Sequence, residues 1–376
     1  MDALSPRTKT SIAMRNLLFS PLQLDTLTLT NRIAMAPMTR SRAYNNIPNE
    51  LIANYYGQRA SAGLIISEGV SPSPNGLGYA RIPGIFSAEQ VAGWKLTTQA
   101  VHEKGGPIFV QLMHTGRIAH PLNLPVGAEV IAPSAIAAQG SMWTDQEGMQ
   151  ANAQPRELTT DEVKQTIQEF VQAAKNAVEA GFDGIELHGA NGYLIEQFLN
   201  PNSNQRTDEY GGSVENRARF ALEIAEQSAQ AIGKDRVGIR FSPYGVFNDM
   251  PNYPEIDETY TYLAEKLNDL GVVYLHVINT AAPEGAETTL PLLKTIREKF
   301  SNTLILNNKY TAEQAEKDLQ NGLGDLVAFG YAFIANPDLV ERLSTGAELA
   351  QADPATFYAG GEKGFIDYPA LVEVTA

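Results

Sequence analysis

The sequence contains no cysteine. This absence excludes disulfide bonds, thiolate nucleophiles, iron–sulfur clusters and zinc sites built on cysteine. The chain also lacks any apolar run near the roughly 20 residues that span a bilayer, so we expect no membrane partner. Its formal net charge is −15. Nucleic acids and anionic membranes attract basic surfaces, so this charge argues against both as partners.

What the sequence does contain is enough apolar material for a large core, since 43% of its 376 residues are hydrophobic. A single α/β barrel commonly reaches this length. The first thirteen residues are polar and carry no apolar core of a signal peptide, which favours a cytoplasmic protein. We predict a disordered tail over residues 1–15 and a single barrel domain over residues 16–376.

Short apolar runs alternate with helical patterns along the chain. The runs cover residues 33–38, 64–67, 108–112, 184–187, 237–241, 273–277, 304–306 and 326–329. The clearest helical pattern covers residues 159–180, where Thr159 and Glu162 have the spacing of a capping box. Eight buried strands with intervening helices predict an α/β protein with a (β/α)8 TIM barrel.

Two further segments complete the predicted architecture. Leucines alternate with polar residues at 22–24 and 27–29, which predicts an N-terminal β-hairpin before the barrel. Residues 113–159 are rich in Pro, Gly and Ala and form a long excursion after the third strand. Long connections of this kind are commonly functional, and this one could cover the mouth of the barrel.

The fourth strand ends in the most informative stretch, Ile-Glu-Leu-His-Gly-Ala-Asn-Gly-Tyr at residues 185–193. Barrel enzymes carry their functional residues at the carboxyl ends of the strands. His188 and Asn191 can both donate to one acceptor, and Tyr193 carries a proton that it can give away. Such a set suits a substrate whose oxygen gains negative charge while a nearby carbon is protonated. The alternative is a helix start in which His188 and Asn191 serve as caps.

Polar residues at the ends of other strands indicate a cofactor. Thr39, Gln111 and Arg240 lie on three different strands and form a set suited to a planar heterocycle. Barrels often bind phosphate at the ends of strands seven and eight. The residues at these two ends are Asn308, Lys309, Gly330 and Tyr331. A barrel with these features and without thiols suggests an enzyme that uses flavin mononucleotide (FMN).

Six segments carry a resemblance to a known family. They are NRIAMAPMTR at 31–40, HGANGY at 188–193, RTDEYGGS at 206–213, SPYGVF at 242–247, ANPDL at 335–339 and GFIDYP at 364–369. In this order and spacing, the chain resembles the Old Yellow Enzyme family of flavin-dependent ene-reductases, including bacterial and plant members similar to 12-oxophytodienoate reductase. The resemblance extends over about residues 18–369.

The resemblance implies an NAD(P)H-dependent alkene reductase with FMN as cofactor and NADPH or NADH as hydride donor. The substrates would be α,β-unsaturated carbonyl compounds, with nitro compounds or nitrate esters as further ones, in a ping-pong reaction. His188 and Asn191 would hold the substrate oxygen, and Tyr193 would protonate the α-carbon. The residues implied around the flavin are Pro37, Met38, Thr39, Gly69, Gln111 and Arg240. The residues implied to line the substrate pocket are Tyr79, Met113, Phe247 and Phe365.

One departure from the family concerns the phosphate site. Relatives place an arginine after strand eight, where this chain has Tyr331, so we expect Lys309 to replace it. Two alternatives stay open at this point, a Schiff-base aldolase that uses Lys309 and a flavin-binding protein without catalysis. We predict a small-molecule substrate, no metal site, and a monomer or homodimer.

Overall fold

The computed structural model of the protein describes residues 16–278 and 289–371. The predicted tail at residues 1–15 therefore lies outside the described residues. An antiparallel hairpin of β1 (Leu22–Leu24) and β2 (Leu27–Leu29) precedes the barrel, as predicted. The barrel strands that follow are β3 (Ile33–Met35), β4 (Leu64–Val70), β5 (Ile108–Leu112), β10 (Gly184–Gly189), β11 (Val237–Phe241), β12 (Tyr274–Ile278), β13 (Thr303–Asn307) and β14 (Leu326–Phe329).

These eight strands form a closed barrel in which neighbours run parallel. The last strand, β14, pairs with β3 and closes it, which confirms the predicted (β/α)8 architecture. The helices are α1 (Glu50–Gln58), α2 (Ala88–His102), α3 (Thr160–Glu179), α4 (Leu194–Leu199), α5 (Val214–Ile232), α6 (Ile256–Leu270), α7 (Leu290–Lys299), α8 (Ala312–Gln320), α9 (Tyr331–Ala335) and α10 (Leu339–Thr345). In the described ranges, no helix is long and apolar enough to cross a membrane.

Helix α3 shows how local sequence directs the outer layer. Thr159 caps its first turn by accepting from the Glu162 amide, and the Glu162 side chain returns to the Thr159 amide. Both halves of the predicted capping box are therefore present. Val163, Ile167 and Phe170 repeat at helical spacing and are fully buried against the barrel. The helix ends before Gly181, whose φ of 91° suits glycine.

The two ends of the barrel are closed by different segments. At the amino-terminal end, Leu24 and Leu29 of the hairpin pack in a buried cluster with Phe109 and Tyr274 from the strands. The predicted excursion after β5 contains the short strands β6 (Ile131–Ala132), β7 (Ser141–Thr144), β8 (Gly148–Ala151) and β9 (Arg156–Glu157). Strands β7 and β8 form an antiparallel hairpin, whose residues line a cavity at the carboxyl ends of the barrel strands.

Candidate active site

Two adjoining cavities occupy the carboxyl end of the barrel. The corner cavity, of about 540 Å³, lies between the ends of β3, β13 and β14 and is lined by Met38, Asn308, Lys309, Gly330 and Tyr331 among others. The mouth cavity, of about 780 Å³, is lined by Tyr79, Gln111, Met113, His188, Asn191, Tyr193 and Phe247 among others. The two cavities share Pro37, Thr39, Arg240 and Tyr358 as walls. The two cavities therefore adjoin each other at this wall.

His188 lies at the end of β10, buried except for 4% of its surface, and lines the mouth cavity. Its Nδ1 atom accepts a hydrogen bond from the Ala190 amide at 3.3 Å. Nδ1 therefore carries no proton, and Nε2 is the donor of the neutral ring. Burial lowers the pKa of His188 well below its ordinary value, with Arg240 acting in the same direction. The ring thus offers a neutral N–H to an oxygen in the cavity.

Asn191 adopts a left-handed backbone with φ of 57°, a conformation that asparagine tolerates better than most residues. Its amide donates to Ser242 Oγ at 2.8 Å, and its carbonyl accepts from Asn248 Nδ2 at 2.8 Å. These contacts hold the turn that follows β10. His188 and Asn191 therefore line one cavity as side chains of a restrained turn, as the sequence predicts, and neither acts as the cap of α4.

Tyr193 stands between His188 and Tyr79. Its ring packs edge-on against the His188 ring with centroids 4.9 Å apart, and its hydroxyl donates to the Tyr79 hydroxyl at 3.1 Å. Burial raises the pKa of Tyr193 well above its ordinary value, and the neighbouring Tyr79 phenol adds to the effect. The phenol is therefore protonated at neutral pH, which is the state that a general acid needs.

A polar layer inside the barrel supports Gln111 below the cavity. Gln111 Nε2 donates to Glu186 Oε1 at 2.8 Å, and Glu186 Oε2 is 2.8 Å from His276 Nδ1. Burial opposes ionisation of Glu186, but His276 and Arg240 outweigh it and lower the pKa of this carboxyl. Gln111 is thereby held with its amide nitrogen on Glu186, which leaves its carbonyl oxygen available to a ligand.

Glu186 and His276 have no assigned role in the sequence-based prediction, although one signal points to them. Side chains alternate along a strand, so Glu186 shares the inner face of β10 with His188. Two polar residues on one face of an otherwise apolar strand indicate a polar barrel interior. The exposed Trp143 and Met149 of the β7–β8 hairpin also line the mouth cavity, but no pattern in the sequence around them indicates this position.

The residues around the shared wall fit the ring of a flavin. Arg240 is buried, and its Nη2 atom donates to Asn307 Oδ1 at 2.9 Å. Its Nε atom finds no hydrogen-bond partner within the described parts of the chain. A buried donor that has no protein partner and lies beside a cavity indicates that a bound ligand supplies the acceptor. The heterocycle of FMN offers such acceptors, and Pro37 and Thr39 lie on the same wall.

The corner cavity has the features expected of a phosphate site. Lys309 lines it with a left-handed φ of 47°, next to Asn308 with φ of 148°. Consecutive amides in such irregular turns can form an anion-binding concavity. Tyr331, 66% exposed, lines the same cavity and packs edge-on against Phe357. All four residues predicted for the phosphate thus border one cavity.

Phe365 does not reach the substrate pocket, which corrects the prediction. Its ring is fully buried and stacks on Tyr55, with centroids 4.1 Å apart. The guanidinium of Arg42 lies over the same ring at 4.5 Å and donates to backbone carbonyls of the C-terminal segment, including that of Thr356. These contacts fix the segment in the core, so that Phe365 lines neither cavity.

Gly69 also lines neither cavity, contrary to the prediction that it surrounds the flavin. The β4–β5 register shifts between Ile66 and Gly69, which displaces the end of β4. A Cβ atom at Gly69 would lie 2.5 Å from Met113 Sδ. The glycine therefore makes room for the Met113 side chain, which is the group that lines the mouth cavity in its place.

Residues 17–350 match the family described as NADH:flavin oxidoreductase / NADH oxidase. The chain belongs to this family. It is therefore an FMN-dependent oxidoreductase, and the resemblance to Old Yellow Enzymes is confirmed. Relatives include a probable flavin mononucleotide-dependent alkene reductase of Leishmania infantum, 40% identical over 94% of this chain and 97% of that protein. Another is 12-oxophytodienoate reductase 1 of Oryza sativa subsp. japonica, 40% identical over 95% of this chain and 94% of that protein.

Solved structures of this oxidoreductase family share the fold over nearly their whole length. Morphinone reductase is 44% identical, with a TM-score of 0.91 and coverage of 96% of this chain and 98% of that one. Its complex with tetrahydroNAD gives a TM-score of 0.90 at 45% identity, covering 96% and 99%. The Old Yellow Enzyme homologue of Zymomonas mobilis gives 0.90 at 41% identity, covering 94% and 99%. The family assignment thus rests on sequence and fold together.

Proposed function

We propose that this protein is an NAD(P)H-dependent ene-reductase that reduces activated C=C bonds of α,β-unsaturated carbonyl compounds. One observation carries the proposal. His188, Asn191 and Tyr193 line the mouth cavity, and this cavity shares Thr39 and Arg240 with the corner cavity that suits FMN. An oxygen-binding pair, a proton source and a redox cofactor are the three parts that such a reduction needs.

Each residue has a task that follows from its environment. The neutral His188 ring and the Asn191 amide donate to the substrate oxygen, which polarises the alkene and stabilises the negative charge that develops. Tyr193 gives its proton to the α-carbon. FMN held at the wall formed by Thr39 and Arg240 would supply the hydride chemistry. The hairpin residues Trp143 and Met149 line the same cavity.

The nicotinamide nucleotide and the alkene would use the same mouth cavity in turn, which is a ping-pong reaction. Two features support this order. The mouth cavity is the one that adjoins the corner cavity across Thr39 and Arg240, and morphinone reductase, 45% identical, has been solved with tetrahydroNAD. Nitro compounds and nitrate esters also present an oxygen that can accept from His188 and Asn191, so we propose them as further substrates.

An anaerobic spectroscopic experiment tests the proposal. We expect the purified protein to show flavin absorbance, to bleach on addition of NADPH or NADH, and to recolour with cyclohexenone. A colourless protein that forms a reducible Schiff base would instead favour an aldolase, which family membership leaves without support. Bleaching without recolouring by any activated alkene would leave only a flavin-binding protein and contradict the proposed function.

The phosphate site leads to a separate prediction. Lys309→Ala should weaken FMN affinity by roughly 1.5–3 kcal/mol, the usual worth of a hydrogen bond to a charged group. The physical reason is that Lys309 lines the corner cavity at the end of β13 and brings a positive charge to a strongly acidic protein. Titration of the apoprotein with FMN, followed by quenching of flavin fluorescence, measures the effect.

Lys317→Ala is the matched control for this prediction. Lys317 is an exposed lysine on the neighbouring helix α8, and it lines neither cavity. Its replacement changes the net charge by the same amount and should leave FMN affinity as it is. Equal affinities in the two variants would show that Lys309 does not hold the phosphate.

Three expectations rest on the sequence alone and stay predictions. They are action in the cytoplasm, a monomer or homodimer, and a single FMN-binding domain over residues 16–376. Light scattering of the purified protein would decide the oligomeric state.

A further inference from the structure

Glu196 lies on α4 beneath the turn at residues 189–193, which carries Asn191 and Tyr193, and only 4% of its surface is exposed. Three donors from three parts of the chain converge on its carboxylate. The Gly192 amide donates to Oε2 at 2.6 Å, and the Tyr260 hydroxyl from α6 donates to Oε1 at 3.1 Å. The Ser242 hydroxyl, just after β11, lies 3.1 and 3.2 Å from the two oxygens. Each oxygen of this buried carboxylate therefore accepts at least one hydrogen bond.

This carboxylate holds two consecutive amides of the turn that carries the candidate catalytic residues. It binds the Gly192 amide directly and reaches the Asn191 amide through Ser242, whose Oγ accepts from that amide at 2.8 Å. Asn191 has a left-handed backbone φ of 57°. Residues other than glycine rarely keep this conformation unless the surrounding structure holds it. Glu196 is thus tied to the backbone on either side of the point where Asn191 turns into the cavity.

We infer that Glu196 is a positioning residue for alkene reduction: its carboxylate orients Asn191 toward the substrate oxygen and Tyr193 toward the α-carbon. The inference rests on the proposed function. Only the ionised carboxylate can accept from all three donors at once. A neutral carboxyl has a proton of its own to place, so one of the two facing hydroxyls would have to turn around. The turn is therefore best held when Glu196 is ionised.

The surroundings of Glu196 make its ionisation sensitive to pH near neutrality. Burial raises the pKa of Glu196 to about 7, although its three hydrogen bonds oppose the shift. The titratable groups that face it are Tyr260 from α6 and Tyr253 from the preceding loop. Burial raises the pKa of both phenols, so both stay neutral. Beyond Tyr253 lies Arg217 of α5, whose guanidinium is 5.7 Å from the centre of the Tyr253 ring and 3.9 Å from the Glu255 carboxylate.

Because the ionised form holds the turn, reoxidation of the enzyme by cyclohexenone should slow as the pH falls through about 7. Glu196→Gln keeps the shape but cannot ionise. We expect this variant to retain FMN and to reoxidise roughly tenfold more slowly than the wild type above neutrality. It should also lose the limb of the pH–rate profile, which is the fall in the reoxidation rate as the pH drops through neutrality. A role in stability alone would change melting without removing that limb.

The experiment measures reoxidation of the reduced holoenzyme by cyclohexenone in a stopped-flow instrument from about pH 5.5 to 9. Glu68→Gln is the matched control. Burial also raises the pKa of Glu68 to about 7, but its carboxyl lies on β4 beside Tyr56 and contacts no part of the turn. The control should keep the limb, and Glu196→Gln should lose it.

A second variant keeps the inference testable if Glu196→Gln does not fold. Tyr260→Phe removes a donor that favours the ionised carboxylate, so the limb should move to higher pH. A limb that persists in Glu196→Gln, or that stays in place in Tyr260→Phe, would overturn the assignment, and so would a wild-type profile that is flat through neutrality. If the wild type itself is not reoxidised by cyclohexenone at any pH, the proposed function fails instead.

Discussion

Replacing His188 by leucine and Asn191 by glycine in one protein should leave FMN bound and lower enone reduction by at least roughly two to three powers of ten. The substrate oxygen gains negative charge as hydride arrives at the β-carbon, and the variant offers no donor to that oxygen. Glycine is chosen at position 191 because the φ of 57° would strain a larger apolar residue. The measurement is kcat/KM for cyclohexenone, alongside the absorbance of bound flavin.

Two controls sharpen this result. The single variants His188→Leu and Asn191→Gly show whether the two donors act independently or as a unit. His102→Leu removes a half-exposed imidazole at the end of α2, where the ring contacts Asp183 away from both cavities. That variant should reduce cyclohexenone like the wild type. Undiminished turnover in the double variant would show that the pair does not hold the substrate oxygen.

The second large effect is expected from Tyr193→Phe, which should separate the two half-reactions. Flavin reduction by NADPH needs no proton at carbon and should proceed at the wild-type rate. Reoxidation by cyclohexenone should slow by roughly two to four powers of ten, the range for loss of a general acid. Phenylalanine keeps the edge-on packing against His188, so the cavity should retain its shape. Stopped-flow measurement of each half-reaction tests the split.

Tyr79→Phe serves as the comparison for this variant. It removes the hydroxyl that accepts from Tyr193 but leaves the Tyr193 phenol itself. Its effect on reoxidation should therefore be smaller than that of Tyr193→Phe. Equal slowing of reduction and reoxidation in Tyr193→Phe would argue that the residue shapes the cavity for both reactants and does not act as the acid.

Much of the fold could be predicted because its signals are local. Alternating leucines predict the hairpin of β1 and β2, and the capping box predicts where α3 begins. Strand boundaries were less accurate. The first predicted strand covers residues 33–38, but β3 ends at Met35. The apolar residues that follow, such as Met38, line the corner cavity without pairing in the barrel, and sequence does not distinguish these two uses of an apolar side chain.

The sequence by itself determined the barrel, the turn at residues 188–193 and the kind of chemistry that a histidine, an amide and a phenol offer together. The signals for them are local, because each apolar run, helical pattern and polar turn can be recognised within a short stretch of sequence. Tertiary structure alone decided which distant groups support them. Glu186 meets Gln111 across 75 positions of the chain, and Ser242 meets Glu196 across 46. Phe365 illustrates the same limit, because buried arginines from the start of the chain hold it in the core. Such contacts follow from the closure of the barrel, which brings together strand ends that no local pattern can relate.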